Sequence, residues 1–312
     1  MKYLVTGGAG FIGSNIVRKL LELGQQVRIL DNFSTGKREN ISDLMKNSNL
    51  ELIEGDLRSF HIVRQSVMGI DYVLHQGALP SVPRSINDPI TTNDINILGT
   101  LNILEAARDS GVKRIIYASS SSVYGNSPQL PKVEGMPVAP LSPYALSKYT
   151  GERYCQIYND IYGLETVCLR YFNVFGPNQD PNSQYSAVIP KFIQLLMMNE
   201  QPLIYGDGKQ SRDFTFVNNV VQANLKACNS ENASGHVFNI ACGESYDLIE
   251  MTDFMKKELQ TEIEIKFTSE RKGDVKHSRA DITKAKEILD YKPEVTFFQG
   301  LKRLIDLMRP YI

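Results

Sequence analysis

Three glycines near the start of the chain limit its possible folds more than any other feature. They stand in Thr6-Gly7-Gly8-Ala9-Gly10-Phe11-Ile12-Gly13, directly after the apolar run Tyr3-Leu4-Val5 and at the head of a helix-forming run. The pattern Gly7-x-x-Gly10-x-x-Gly13 fits a strand–turn–helix unit. Gly7 permits the tight turn, Gly10 lets a pyrophosphate approach the backbone, and Gly13 lets helix and strand pack closely. The helix N-terminus then offers free N–H groups and a positive dipole to phosphates. Asp31 ends the second strand-like run, roughly twenty residues on, where a carboxylate accepts from a ribose 2′-hydroxyl and repels a 2′-phosphate. A turn-forming Asp before Asn32 is its plainer role. Read with the glycines, Asp31 selects NAD over NADP.

The segments that follow keep the same rhythm. Strand-like runs at Lys2–Thr6, Gln26–Leu30, Leu50–Glu54, Tyr72–His75, Arg114–Ser119 and Glu165–Arg170 are short and rich in Val, Ile and Leu. Strands covered on both faces have this composition. Helix-like runs lie between them near Phe11–Leu23, Phe60–Met68, Asn93–Ser110 and Pro143–Tyr162, with stops at Gly111 and Gly163. The alternation predicts an α/β fold: a doubly wound parallel sheet of the Rossmann kind. After Asn173 the texture changes. Pro177, Asn178, Asp180, Pro181 and Asn182 mark a loop, followed by shorter elements. Helices are expected at Ser186–Asn199, Asn219–Ala227, Leu248–Leu259, Ile282–Leu289 and Phe298–Met308. Strands are expected at Leu203–Tyr205, Phe214–Val217 and Glu262–Phe267. Residues 1–173 therefore read as the NAD-binding domain. Residues 174–312 read as a smaller α/β lobe over the sheet's carboxyl edge, with some segments returning to the first domain.

Lys and Arg number 34 and Asp and Glu 35, with no basic stripe or like-charge block, so neither nucleic acid nor a membrane surface is an expected partner. Cys155, Cys168, Cys228 and Cys242 are scattered and the four histidines lack ligand spacing. No metal site is expected, and the cysteines suit a reduced, cytoplasmic protein. The first strand starts at Lys2, leaving no room for a signal peptide, and no apolar run is long enough to span a bilayer.

Several turns at the strand ends supply cofactor candidates. Phe11, Ile12, Asn32 and Gly36 lie near the fingerprint and Asp31. Asp56 and Leu57, after the third strand, are candidates for the adenine. Gln76 and Ala78 flank Gly77 after the fourth, where small residues let the backbone pass the second phosphate. Asn93 and Asn96 open the next helix; Asn93 is the candidate contact, and capping accounts for either. Tyr144 and Lys148 follow Pro143 at a spacing of four. A helix starting at Pro143 puts them on one face, with the ammonium near the phenol. That charge would lower the phenol from its usual value of roughly 10 and make it a usable base. The spacing alone equally fits a solvated helix face; the fingerprint gives it a chemical reading.

Taken together, these motifs resemble the extended short-chain dehydrogenase/reductases. The glycine run, Ser119–Ser122 before Val123-Tyr124-Gly125, Tyr144-x-x-x-Lys148, Arg170-Tyr171-Phe172-Asn173-Val174-Phe175-Gly176-Pro177 and Arg271-Lys272-Gly273-Asp274 carry the likeness. Within that superfamily the chain is most similar to UDP-hexose 4-epimerases. Gln76–Asp88 and Asp180–Pro190 resemble the branch acting on N-acetylated UDP-hexosamines. The resemblance implies a catalytic set of Ser120, Tyr144 and Lys148, with Ser122 a second serine candidate, because spacing alone does not separate four serines. It implies that Tyr144 is the general base and that Lys148 lowers its pKa and bonds the nicotinamide ribose. Related dehydratases and decarboxylases carry acids at the positions of Ser121 and Ser122; hydroxyls here argue for C4 oxidation without elimination.

On the substrate side the resemblance implies that Ser81 and Asn173 touch the UDP-sugar. Ala187, Val188 and Tyr205 would lie against uracil, Arg212 and Arg271 on the pyrophosphate, and Asp274 on the uridine ribose. Val188 and Tyr205 are equally suited to a core, and Arg212 to a local pair with Asp213. Ser278 stands where epimerases restricted to unacetylated sugars tend to have a tyrosine, which leaves room for a 2-acetamido group. Pro80 departs from many relatives, which have a cofactor-touching lysine there. The expected reaction interconverts UDP-GlcNAc and UDP-GalNAc, with UDP-Glc and UDP-Gal as further substrates. The rival is a net NAD-dependent oxidoreductase. A homodimer is expected through two helices per subunit, from apolar positions such as Ile95, Ile97, Leu98, Ile157 and Ile161.

Overall fold

The computed structural model describes residues 1–181, 188–270 and 276–309. Six parallel strands alternate with helices through the first part of the chain: β1 (Lys2–Thr6), β2 (Gln26–Asp31), β3 (Leu50–Glu54), β4 (Tyr72–His75), β5 (Arg114–Ser120) and β6 (Glu165–Tyr171). Four short strands follow, β7 (Val174–Phe175), β8 (Leu203–Tyr205), β9 (Ser211–Arg212) and β10 (Thr215–Phe216). Then β11 (Val237–Ile240) returns to the main sheet beside β6, giving seven strands in the order β11-β6-β5-β4-β1-β2-β3. The order reverses between β1 and β4, which opens a crevice at their carboxyl ends.

Helices cover both faces. The chain forms α1 (Phe11–Glu22), α2 (Phe60–Val67), α3 (Val82–Asn87), α4 (Pro89–Asn93), α5 (Gly99–Asp109), α6 (Pro143–Tyr162), α7 (Val188–Met197), α8 (Val217–Asn229), α9 (Leu248–Leu259), α10 (Thr283–Leu289) and α11 (Phe297–Met308). One face buries Ile16, Val17 and Leu20 of α1 with Val220 and Ala223 of α8 and Ala285 of α10. The other buries Val63, Ile103, Leu104 and Cys155 of α2, α5 and α6. A third core holds the lobe together, where Phe297 stacks between Phe214 (5.0 Å) and Tyr246 (4.8 Å). The lobe's strand β12 (Tyr246–Asp247) pairs with β9, which also pairs with β14 (His277–Ser278); β13 (Lys266–Thr268) pairs with β8.

Two elements differ from expectation. The run Asn93–Ser110 is helical but carries a π-helical turn at Asp94–Leu98 between α4 and α5. Buried Asn96 lies in this turn. Its amide grips Leu79 (N–H to Oδ1, 2.7 Å; Nδ2 to the carbonyl, 3.2 Å), while the Thr100 hydroxyl donates to its carbonyl at 2.6 Å. The seventh strand, β11, was absent from the sequence reading, because Asn239 interrupts its apolar run. That residue is fully buried, its amide donating to the carbonyls of Lys132 (2.9 Å) and Asp281 (3.1 Å).

One contact sets how closely α6 rides on the sheet. A Cβ built on Gly151 would stand 2.2 Å from the Tyr117 hydroxyl oxygen, and Tyr117 is itself buried. Gly151→Ala should therefore destabilise the protein by about 2 kcal/mol, since overpacking outweighs a helix-propensity gain of about 1 kcal/mol. Denaturant unfolding measures it; a variant as stable as the parent would mean that α6 can shift freely.

Candidate active site

A cleft of about 730 Å³ runs along the carboxyl ends of β1, β2, β4 and β5. At one end the fingerprint turn is built as its glycines require. Gly7 has φ +65°, and a Cβ there would meet Gly77 Cα at 2.8 Å. A Cβ on Gly13 would stand 2.1 Å from the Gly7 carbonyl oxygen. Gly10 caps α1 without a side-chain hydrogen bond, so the first-turn N–H groups face the cleft beside Phe11 and Ile12.

Asp31 ends β2 and is buried. Its carboxylate accepts from Ala9 N–H at 2.9 Å and Phe33 N–H at 2.8 Å, which fixes its direction and leaves further lone pairs for a diol. Gly36 lies against it; a Cβ there would be 3.0 Å from both carboxylate oxygens. Asn32 donates to Asp56 at 3.0 Å, and Arg58 grips the same carboxylate and is the main reason it sits at about 2. Leu57 packs over Gly77. Gln76 belongs to a triangle: it accepts from Tyr171 at 3.1 Å and donates to Asn224 at 3.1 Å, while Asn224 donates to the Tyr171 hydroxyl at 2.8 Å. Ala78 lines the cleft between Gly77 and Leu79. Asn93 does not reach the cleft. It is exposed at the end of α4, whereas Asn96 is buried.

At the reacting end the four serines separate by their partners. The Ser119 hydroxyl donates to buried Glu152 at 2.5 Å and is committed there. The Ser120 oxygen accepts from Ser122 N–H at 3.2 Å and Ser122 Oγ at 2.9 Å, and its side chain is near enough to Tyr144 to bear on the phenol. Tyr144, Lys148 and Ser119 all line the cleft. Lys148 Nζ donates to the Ala118 carbonyl at 2.8 Å and lies 5.1 Å from the Tyr117 ring centre, and burial brings it down to about 8. Burial raises the Tyr144 phenol, and the nearby Ser120 opposes that rise. His75, held between Thr6 (2.7 Å) and Thr100 (3.0 Å), is pushed to about 3 by burial and by Lys148, and stays neutral.

Of the described residues expected on the substrate side, only Ser81 lines the cleft; the others lie on the lobe and the turn after β6. Ser81 has φ +98°, lines the cleft and caps α3 by accepting from Arg84 N–H at 3.3 Å. Such a conformation in a non-glycine residue is strained and typical of functional sites. Asn173 is also left-handed (φ +34°), and its amide donates to the Asp213 carbonyl at 3.0 Å. Val188 opens α7 and packs on the lobe core, while Tyr205 ends β8. Arg212 bonds the carbonyls of Ser211 (3.0 Å) and Lys276 (3.1 Å), and Ser278 is its register partner on β14. The neighbouring Asp213 carboxylate is anchored by the N–H groups of Cys242, Gly243 and Ala280, at 2.9, 3.0 and 3.2 Å. Ala187, Arg271 and Asp274 lie outside the described residues. Sequence reasoning missed Tyr171, Asn224 and Gln179. The Gln179 Oε1 is buried without a partner among the described residues, and the residue lines the cleft, so a donor from a bound dinucleotide would satisfy it. Among the described residues no group of three His, Cys, Asp or Glu could hold a metal, and no helix is long and apolar enough to cross a membrane.

A parallel sheet in this order, a backbone cradle at the β1–α1 turn and a Ser/Tyr/Lys group at the switch point define a dinucleotide enzyme of the short-chain dehydrogenase/reductase type. The chain belongs to the NAD-dependent epimerase/dehydratase family, whose sequence model matches residues 3–241, and its cofactor is NAD. It is 40% identical to a UDP-N-acetylglucosamine 4-epimerase from Methanobrevibacter ruminantium, solved in complex with UDP-N-acetylmuramic acid (TM-score 0.95, covering 100% of this chain and 99% of that one). It is 36% identical to the UDP-glucose 4-epimerase of Thermotoga maritima, solved with UDP-glucose (TM-score 0.94, covering 100% and 99%). It is 35% identical to a UDP-glucose 4-epimerase of Mycolicibacterium smegmatis, over 99% of both chains. The cradle at Gly7, Gly10 and Gly13, the Asp31 carboxylate and the unpartnered Gln179 oxygen fit NAD.

Because Lys148 sits at about 8, its charge should fade as pH rises through that value. A lysine with a lowered pKa is charged below it and neutral above, so NAD affinity for the cofactor-free protein should fall across pH 8. Calorimetric titration at several pH values reads this, and Lys148→Met should bind weakly with a flat profile. A flat profile in the parent would exclude Lys148 as the titrating group.

Proposed function

We propose that this chain is a UDP-hexose 4-epimerase that interconverts UDP-GlcNAc and UDP-GalNAc, and also UDP-Glc and UDP-Gal, through a 4-keto sugar. The observation that carries this reading is the meeting of Tyr144 and Lys148 in the cleft with the end of β5, where the serine run holds no acid. A phenol and a hydroxyl at the sugar C4 suffice to take and return one proton. Elimination would need another acid or base, and Ser121 and Ser122 offer none. Tyr144 acts as the base and Ser120 orients the C4 hydroxyl. Lys148 holds the nicotinamide ribose. When bound, NAD supplies the acceptor and donor of the C4 hydride and a cationic ring that favours the Tyr144 phenolate. Arg212, with Arg271 outside the described residues, binds the pyrophosphate, for which the guanidinium fork suits bidentate bonding. Firm hold on UDP and loose contact with the hexose let the keto sugar present either face. The similarity to enzymes named for UDP-N-acetylglucosamine and UDP-glucose supports the nucleotide-sugar class. Ser278 is the register partner of Arg212, and a serine there in place of the tyrosine of epimerases restricted to unacetylated sugars supports the acetamido assignment.

Incubation with UDP-GlcNAc and with UDP-Glc, followed by NMR of the products, should show the C4 epimer of each without net NADH release. Stoichiometric NADH release would favour the net oxidoreductase. Tyr144→Phe should lower kcat by about 10²- to 10⁴-fold and leave UDP-sugar binding intact. Ser278→Tyr should depress kcat/KM for UDP-GlcNAc and spare UDP-Glc; equal losses on both would remove the basis for the acetamido assignment.

We also infer a homodimer. Leu146, Ile157 and Ile161 lie along one side of α6 at 53%, 38% and 70% exposure, with Leu98 of the π turn at 43%. Ile95 instead lines the cleft. An apolar strip on two neighbouring helices suits a two-fold four-helix contact. Leu146→Asp with Ile161→Glu should shift sedimentation from dimer to monomer; a parent that already sediments as a monomer would refute the interface.

A further inference from the structure

Glu152 is a buried charge on the helix that carries Tyr144 and Lys148, and the reaction as described gives it no task. It stands one helical turn after Lys148 and two after Tyr144, so α6 presents the three on one face. It is 1% exposed. Its Oε1 accepts from the Ser119 hydroxyl at 2.5 Å and from Arg170 Nε at 2.8 Å, and its Oε2 accepts from Arg170 Nη2 at 2.7 Å. Ser119 and Arg170 are register partners on β5 and β6. One buried carboxylate therefore fastens the helix that carries Tyr144 to the strand that ends in Ser120, and both to the next strand.

The other end of the serine run is held by the same group. The Arg170 guanidinium lies 4.7 Å from the ring centre of Tyr124, the last residue of the short 3₁₀ turn that Ser120 caps. The Tyr124 hydroxyl donates to Asn239 of β11 at 2.7 Å. Ser120 thus sits between two anchored points, Ser119 before it and Tyr124 after it.

Stability does not account for this arrangement. A buried ion pair replaced by packed apolar groups of similar volume is often neutral or more stable. An apolar cluster would lack the directional hold on the Ser119 hydroxyl, and so on the direction in which the next side chain leaves the strand.

We propose that Glu152, held by Arg170, is a positioning residue for the epimerase: through Ser119 it aims Ser120 at Tyr144, and it acts on kcat rather than on substrate affinity. The proposal rests on Ser120 and Tyr144 forming the reacting pair. Ser119→Ala leaves the ion pair intact and removes only its hold on β5. In the holoenzyme, with UDP-GlcNAc and UDP-Glc as substrates, its kcat should fall about 10-fold or more, since a displacement on the order of 1 Å near the chemistry costs up to roughly 10²-fold. KM should stay within about 2-fold, as expected when only transition-state interactions are lost. The isotope effect from substrate deuterated at C4 should rise. Glu152→Leu with Arg170→Met, which removes both charges together, should give the same split while remaining folded by circular dichroism. A Ser119→Ala enzyme with parental kcat and isotope effect, even at a lower melting temperature, overturns the proposal. So does a raised KM at unchanged kcat. Near-normal turnover by Tyr144→Phe would instead overturn the assignment of the base, separately from the Ser119→Ala result.

Discussion

Everything at the cofactor end follows from one backbone approach. The turn after β1 comes so near the start of α1 and the end of β4 that three positions have no room for a Cβ: Gly7, Gly13 and Gly77. A side chain at Gly13 would occupy the place of the Gly7 carbonyl. This closeness sets α1 down on the sheet, exposes its first N–H groups to the crevice and brings Ala9 N–H within reach of Asp31. The anion site and the ribose site are consequences of one packing distance, not separate inventions of the sequence.

At the other end of the cleft, polar side chains are sorted by burial. Adjacent serines have different partners: Ser119 donates to Glu152 of the Glu152–Arg170 pair, and Ser120 accepts from Ser122. Lys148 lies one turn along the same helix, yet its ammonium goes to a main-chain carbonyl.

The legibility of the sequence varied with the range of the forces involved. Helix α6 could be read to the residue because its punctuation is local: Ser142 caps it by accepting from Ala145 N–H at 3.1 Å, Pro143 starts it, and Gly163 ends it at φ +70°. The fingerprint was legible for the same reason. β11 was hidden because Asn239 looks like a loop residue until Lys132 and Asp281, far away in sequence, supply its partners. The π turn at Asp94–Leu98 was hidden because the partner of its buried Asn96 is Leu79, on another element. Which serine faces Tyr144, and where Lys148 sends its charge, depended on strand register and on Ala118, which no spacing rule contains.

The return of β11 to the sheet has a further consequence. The chain leaves the sheet after β6, builds part of the lobe, comes back for α8 and β11, leaves again for β12, α9 and β14, and returns once more for α10. A division at residue 173 is therefore a line on the sequence and not a seam in the molecule. A polypeptide ending there would lack the strand that covers the edge of β6 and the helix that covers α1. The two parts are interlaced like stitches. The core around α1 and the sheet is complete only with α8, β11 and α10, all from beyond residue 173, so the first 173 residues cannot be detached with their packing intact.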